Sequence, residues 1–495
     1  MSAKSVHPFY TAMLERWQLG RDSYEGEDAI KQQGKTYLPA TSGQIADGAL
    51  TDKQSLGAKA YEAYKMRAVY PDIYADAVEA AIGIMHREPP KIDLPEVLEP
   101  MREDCTLLGE SLDMLLRKIN AQQLKTGRLG LLGDIRTDGG EDRPVIVTYN
   151  ELAIRNWDDT SIDDDDVDVR LVVLDESGYE MDANLAWTYK NKYRILGLVG
   201  EDGTLTDMGN YASKVFNEDD DILGAVLDKP QIKGQELDQI PFVFINSKDL
   251  SPTPDKPPMD GLAKLCLAIY RGEADYRQNL FMQGQDTLVR IGVQGGDDDE
   301  AVRTGAGARI DVPLGGDAKY IGVNSQGLPE QRQALENDYN RAIRKSGQLI
   351  DSTSRAKESG DALRIRVAAQ TATLPQIAMT GAAGLERVLR ALAVWYGANP
   401  DDVKVTPNTN FTEADLNGQT LVQIVQAKML GAKLSDESIH EWMQDQGFTK
   451  QTYEDELKRM DKEEPLPGAG LPSPADQNQP GQQQQGGPVD GNTDQ

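Results

Sequence analysis

Histidine and cysteine are nearly absent from this sequence, at three and two of 495 residues. His7, His86 and His440 never approach metal-ligand spacing, and no H-E-x-x-H pair exists. Cys105 and Cys266 form neither a disulfide framework nor a zinc spacing, so a reducing cytoplasm is expected. Aromatic residues are only 6% and the mean hydropathy is −0.53, which implies much surface for little core. Long apolar runs are missing too. Met1–Gln18 has no signal-peptide core, and the run Leu262–Ile269 is short and interrupted by Lys264, so no membrane span is expected. Basic charge is outweighed: 52 Lys and Arg face 81 Asp and Glu, a net charge of −29. Proteins that grip phosphate over a wide surface are basic there, because binding replaces counterions. Wide adhesion to DNA is therefore excluded, whereas an acidic wall would repel DNA and keep it mobile as cargo.

Catalytic motifs are equally scarce. Gly34-Lys35-Thr36 ends like a phosphate-binding loop, but Ala29 stands where its first glycine belongs and Tyr37-Leu38-Pro39 follows instead of a helix. Gly305-Ala306-Gly307 lacks a third glycine and a strand–turn–helix setting. Asp163–Asp166 with Asp168 is a dense acidic cluster, but Val169 occupies the glycine position of a calcium loop, and charge runs are usually solvated. A divalent-metal hydrolase built on that cluster is the enzymatic alternative. There is no G-x-S-x-G. The reading is a non-enzyme with no cofactor and no metal.

What is present is a sequence of alternating lobes. A chain of this length usually serves more than one core. Phe9–Leu19 reads as a short helix, Gln32–Asp52 as a polar loop, and Ala58–His86 as helix broken or kinked at Pro71. Ser111–Thr126 is a helix stopped by Gly127. Short β-type runs follow at Leu129–Ile135, Val145–Tyr149, Val169–Leu174, Leu185–Tyr189, Arg194–Val199 and Ile240–Asn246, predicting a mostly antiparallel sheet. From Pro257 to about Met282 the spacing of Leu262, Leu265, Cys266, Ile269, Tyr276 and Leu280 predicts a long helix. Three β-type pieces come next, Leu288–Val293, Arg309–Val312 and Tyr320–Val323, then a second long helix at Pro329–Ile350. Asp361–Tyr396 reads as a further helix kinked at Pro375. Asn408–Glu464 is a small helical module, with Thr412 and Asp415 resembling a capping box and Ser435 opening its next helix. Beyond Pro465 the composition is Pro, Gly, Gln and Asp, which predicts disorder. The class is α+β, mainly α.

Between the second long helix and the kinked one lies the polar stretch Asp351–Gly360, DSTSRAKESG. Ser352, Ser354, Arg355, Lys357 and Ser359 would suit a flexible loop touching a phosphate backbone. Arg332, Arg341, Arg344 and Lys345 on the preceding helix could face the same cargo. They could equally pair with Glu330, Glu336 and Asp338, the ordinary fate of helix charges.

Several stretches, taken in order over about residues 8–460, resemble a portal (head-to-tail connector) protein of tailed bacteriophages. They are Tyr37-Leu38-Pro39, Tyr61–Ala68 (YEAYKMRA), Gly83–Pro90 (GIMHREPP), Gly127–Asp134 (GRLGLLGD), Ile154–Trp157 (IRNW) and Ile240–Val243 (IPFV). Pro257–Ala263 (PPMDGLA), Tyr270–Asp275 (YRGEAD), Glu358–Leu363 (ESGDAL) and Leu430–Gly447 continue the series. The resemblance implies a ring, usually of twelve copies, at one capsid vertex. It implies a wing over residues 1–256, stem helices at 257–282 and 329–350, and a small α/β clip at 283–328. A channel loop would follow at 351–360, then a kinked wing helix at 361–407, a crown at 408–464 and a disordered tail at 465–495. It further implies genome packaging and ejection through the ring, with double-stranded DNA as cargo; another virion or tail structural protein, which would share the acidity and the lack of catalytic motifs, is the alternative. The partners would be the major capsid protein, the tail adaptor at the clip and, transiently, the large terminase subunit. The site would be the virion's head–tail interface, after assembly in the host cytoplasm, with no membrane. Twelve copies would carry about −350 charges, a field that repels phosphate.

Overall fold

The computed structural model describes residues 4–138, 141–158, 169–206, 209–218, 220, 225–232, 234–284, 287–291, 317–321, 327–350, 373–409 and 411 of a first unit, residues 1–412, and 426, 428, 433, 435–445, 449 and 451–460 of a second. The architecture is mixed α and β, with about half of it helical. The Asp163–Asp168 cluster, the three serines Ser352, Ser354 and Ser359, Arg355 and Lys357, Thr412 with Asp415, and everything beyond residue 460 lie outside the described residues.

Helix α1, Pro8–Glu25, is longer than its apolar spacing predicted, because its buried positions run on past Leu19 through Gly20, Asp22 and Ser23, which carry no apolar side chain. Pro8 suits its first turn, and the His7 imidazole accepts from the Phe9 N–H at 3.2 Å. The supposed loop Gln32–Asp52 contains structure of its own. After α2 (Glu27–Gln32) and a 3-10 turn at Gly34–Thr36, α3 (Ser42–Ala46) is a single helical turn held by a Thr41–Gln44 capping box. Pro71 does separate two helices, α4 (Leu56–Arg67) and α5 (Ile73–Met85). Helix α6 (Leu112–Thr126) starts on the Ser111 hydroxyl, which accepts from Met114 N–H at 3.3 Å, and stops at Gly127, left-handed at φ 73°.

The β region is all antiparallel but is several sheets rather than one. Strand β1 (Lys91–Asp93) pairs far along the chain, as described below. Strands β2 (Arg128–Asp138) and β3 (Glu141–Asn150) form a three-stranded sheet with β10 (Phe242–Asn246), in the order β10–β2–β3. Strands β4 (Ile154–Trp157), β5 (Leu171–Asp175), β8 (Lys192–Val199) and β9 (Asn210–Asn217) form a four-stranded sheet in that order. Between β5 and β8, Gly178–Met181 (β6) and Trp187–Lys190 (β7) make a separate ribbon.

Helix α7 spans Asp260–Gln283, strands β11 (Thr287–Ile291) and β12 (Asp317–Ile321) pair antiparallel, and α8 spans Leu328–Ile350. Helix α9 is Leu374–Trp395. Pro375 occupies the first turn of that helix, where a missing N–H costs nothing, and residues 361–372 lie outside the described ones. Strand β13 (Lys404–Thr406) closes on β1. In the second unit, α10 (Asp436–Asp445) is capped by Ser435, whose hydroxyl accepts from Ser438 N–H at 3.0 Å, and α11 is Tyr453–Met460.

One core joins α1, α6, both larger sheets and α9 around the fully buried Trp17 and Trp395. A second joins α4, α5 and α7 with the start of α9. Where α6 meets β2 and β10, the filling is polar. Arg128, Gln123, Asn246 and Glu151 have no exposed surface. The Arg128 guanidinium lies 4.6 Å from the Trp157 ring centre and 4.7 Å from that of Phe244, and it donates to Asn246 Oδ1 at 3.2 Å. Asn246 Nδ2 donates to Asp249 Oδ1, Ser251 O and Thr253 O at 3.0, 2.8 and 2.9 Å. A donor-to-acceptor chain leads in from outside: His86 Nε2 to Asn120 Oδ1 (2.8 Å), Asn120 Nδ2 to Gln123 Oε1 (2.9 Å), Gln123 Nε2 to Asn246 O (2.7 Å). Buried polar groups are costly unless paired, so this knot holds only if every member stays in register.

Two outcomes follow from the knot. A β-carbon on Gly381 of α9 would lie 2.5 Å from Asn120 Nδ2 and 2.7 Å from Gln123 Oε1. Gly381→Ala should therefore destabilise the first unit by about 1–3 kcal/mol, read as a lower urea midpoint, despite alanine's better helix propensity. Burial lowers the His86 pKa below its ordinary value, outweighing the hydrogen bond that His86 donates to Asn120 Oδ1. The unfolded chain thus binds the proton more readily, and stability falls as pH drops below about 6.5 towards the folded pKa. Between pH 7.5 and 5.5 the wild-type melting temperature should fall more steeply than that of His86→Gln.

Candidate functional site

Helices α7 and α8 form an antiparallel pair. At 1.5 Å per residue they are roughly 36 and 35 Å long. Buried positions on α7 recur at Leu262, Ala263, Cys266, Ile269, Tyr270, Glu273 and Ala274. Leu280, which the spacing placed on the same stripe, is 44% exposed, because the stripe leaves the body before the helix ends. Small residues set the spacing between the two helices. Leu335 of α8 sits over Gly272, where a β-carbon would meet its Cδ2 at 2.9 Å, and Ala342 is fully buried. Polar bonds then fix the register. Asn279 Nδ2 donates to Gln331 Oε1 at 3.1 Å, and the Tyr339 hydroxyl donates to Glu273 Oε1 at 3.4 Å. Burial pushes the Tyr339 pKa up to about 12, so it remains a donor.

The pair is clamped to the body through the stretches singled out in the sequence. Arg271 Nε donates to Tyr37 O at 2.7 Å, and the Tyr64 hydroxyl donates to Asp275 Oδ1 at 2.6 Å. Arg67 donates to Gln278 Oε1 at 2.7 Å and stacks 3.9 Å from the Phe281 ring centre. Gly127, left-handed, lets Pro257 Cα close in to the 3.1 Å that a β-carbon would find. YLP, YEAYKMRA, GRLGLLGD, PPMDGLA and YRGEAD are therefore contacts of one joint.

The sequence-predicted cations separate into two groups. Arg332 pairs with Glu336 at 2.8 Å and Arg341 with Asp338 at 3.4 Å, both exposed and on their own helix. Such pairs contribute little. Arg344 and Lys345 are exposed and have no carboxylate within ion-pair reach among the described residues. The Lys345 ammonium sits against Gly261, where a β-carbon would collide with it. Beside it, Lys256 and Lys264 share one oxygen of Asp260, at 3.4 and 3.0 Å. Asp260 is 4% exposed, and its other oxygen finds no donor among the described residues. Lys256 and Lys264 escaped the sequence reading; their spacing of four on either side of Asp260 was the available signal.

Elsewhere, a cavity of about 270 Å³ lies between α9 and the β10 edge, lined among others by Ile240, Pro241, Leu250, Arg387 and Arg390. Its lining offers no nucleophile and no carboxylate. Among the described residues no cluster of three His, Cys, Asp or Glu could hold a metal ion, and no helix is long and apolar enough to cross a membrane.

A family model described as a domain of unknown function (DUF4055) matches residues 258–396, less than a third of the chain. That stretch contains the helix pair, its β insert and α9. No curated protein matches. Among solved structures the chain is similar to one in the "neck of native GTA particle computed with C12 symmetry". The identity is 15%, covering 75% of this chain and 89% of that one, with a TM-score of 0.35. It is also similar to one in the "neck of empty GTA particle computed with C6 symmetry", at 15% identity, covering 76% and 90%, with a TM-score of 0.36. Likenesses this loose decide neither fold nor role. The site is defined by its own geometry: a clamped helix pair with a β-ribbon at one end and a group of cations at the other.

Proposed function

We propose that this chain is a portal subunit. It builds a closed ring at one capsid vertex, carries the genome through that ring during packaging and ejection, and docks terminase and the tail adaptor. The observation that carries the reading is the order α7, β11–β12 insert, α8, α9, in which two long antiparallel helices are clamped to the body and carry the insert between them in the chain. A stiff helical lever is what copies around an axis need, since a ring closes only when each heterologous contact repeats the same rotation. The ordered stretches that resemble portal sequences support it, as does the net charge of −29, which lets a duplex slide. In this reading α7 and α8 are the stem, residues 283–328 the clip, and residues 351–360 the channel loop. No nucleotide-binding motif is part of it, so terminase drives translocation.

Two measurements test it. The purified full chain should form closed rings in negative-stain images, and only monomers or dimers at high concentration in several buffers would overturn the reading. Replacing Arg355 and Lys357 with Ser should leave rings intact while lowering the DNA retained per particle. Particles with normal DNA content would remove the channel-loop role.

A further inference from the structure

We propose that Lys256, Lys264 and Lys345 form a phosphodiester-binding cluster at the end of the helix pair opposite the β insert. The proposal rests on the conduit reading for the identity of its ligand, the backbone of a double-stranded DNA. It is separate from residues 351–360.

Lys256 and Lys264 meet at Asp260, and the Lys345 ammonium lies against the next residue, Gly261. The only carboxylate within ion-pair reach of them among the described residues is Asp260, bound by Lys256 and Lys264 at 3.4 and 3.0 Å. Asp255, next in the chain, is occupied by the Lys248 N–H at 2.9 Å and the Ser247 hydroxyl at 3.3 Å. Among the described residues neither the Lys345 ammonium nor Arg344 beside it has a carboxylate within ion-pair reach. The chain has 81 acidic residues against 52 basic ones, yet among the described residues Asp260 alone is placed within ion-pair reach of this cluster. All three side chains are exposed, Lys256 by 62% and Lys264 by 54%. Their closeness is built in: glycine at 261 is what admits Lys345. The buried Asp260 holds the two α7-side lysines in place without cancelling three charges. Uncancelled like charges repel, and they are stabilised by a multivalent anion. Lysine ammoniums are point charges that accept phosphate oxygens from any direction, which suits a backbone that moves past them. Counterion release then makes the grip dependent on salt.

The test uses the full chain and a labelled 30-base-pair duplex, with affinity measured by fluorescence anisotropy from 50 to 200 mM KCl. Losing three phosphate contacts should make the slope of log affinity against log salt shallower by about 2.7 in the combined variant Lys256→Gln, Lys264→Gln, Lys345→Gln. Over that salt range the wild type should lose about 40-fold more affinity than the variant does. Lys59→Gln, on α4, should keep the wild-type slope, as should the three lysines changed to arginine. If the triple variant melts early, each single variant should still lower the slope by about 0.9. Equal slopes, or no measurable wild-type binding at 50 mM, overturn the proposal. So does loss of ring assembly with an unchanged slope, which would mean that the lysines hold carboxylates of a neighbouring copy. Monomers that show the cluster-dependent slope would sink the ring and leave this inference standing; rings without it would do the reverse.

Discussion

The buried bond between Arg128 and Asn246 is the constraint on which the rest of the first unit depends. Arg128 opens β2 and Asn246 closes β10, so the bond sets the register of the sheet at its last rung. Asn246 then orders the turn that follows through Asp249, Ser251 and Thr253. That turn leads to Pro257, which rests on Gly127, and so to the start of α7. A guanidinium between two aromatic rings cannot shift without leaving buried charge unpaired, and breaking such an arrangement from one side is strongly destabilising. The direction of α7 is inherited from a polar contact in the core.

Rigidity at that joint explains how the two helices can act as one piece. Glycine and alanine bring their backbones close, tyrosine hydroxyls anchored on Glu273 and Asp275 fix their rotation, and arginines reach back to the body. The acidic surface sets the electrical background. Against it, the charges that matter are those left uncancelled. Arg332 and Arg341 are absorbed by their own helix, whereas Lys345 and Arg344 pair with no carboxylate among the described residues. A search by residue type alone would rank all four alike.

Helices announced by caps and apolar spacing were legible in the sequence, α6 most fully, because Ser111 and Gly127 are local devices. The separation of α4 from α5 was legible for the same reason, through Pro71. Helix α3 was not, since one turn held by a side-chain cap has no periodicity. Strands β4 and β9 were missed because their burial alternates irregularly. The two stem-like helices were placed within three residues at either end, but the exposure of Leu280 depends on where the body stops. The lysine cluster joins residues 256, 264 and 345, and only the packing of α7 on α8 brings them together. Of the candidate site residues, Ser352, Ser354, Arg355, Lys357 and Ser359 fall outside what the structure describes.

Among the described residues the β6–β7 ribbon has both edges unpaired, and it keeps Tyr179, Met181, Leu185, Trp187 and Tyr189 more than half exposed. Bare strand edges beside aromatic rings are templates for further strands, and proteins guard them with charge. Here Glu180 draws in both Lys190 and Lys192, placing ammonium groups along the ribbon where an incoming strand would dock. At high ionic strength those ion pairs are screened, and the guard weakens. Solubility of this very acidic protein thus rests in part on a handful of local charges, so storage in concentrated salt favours edge-to-edge aggregation.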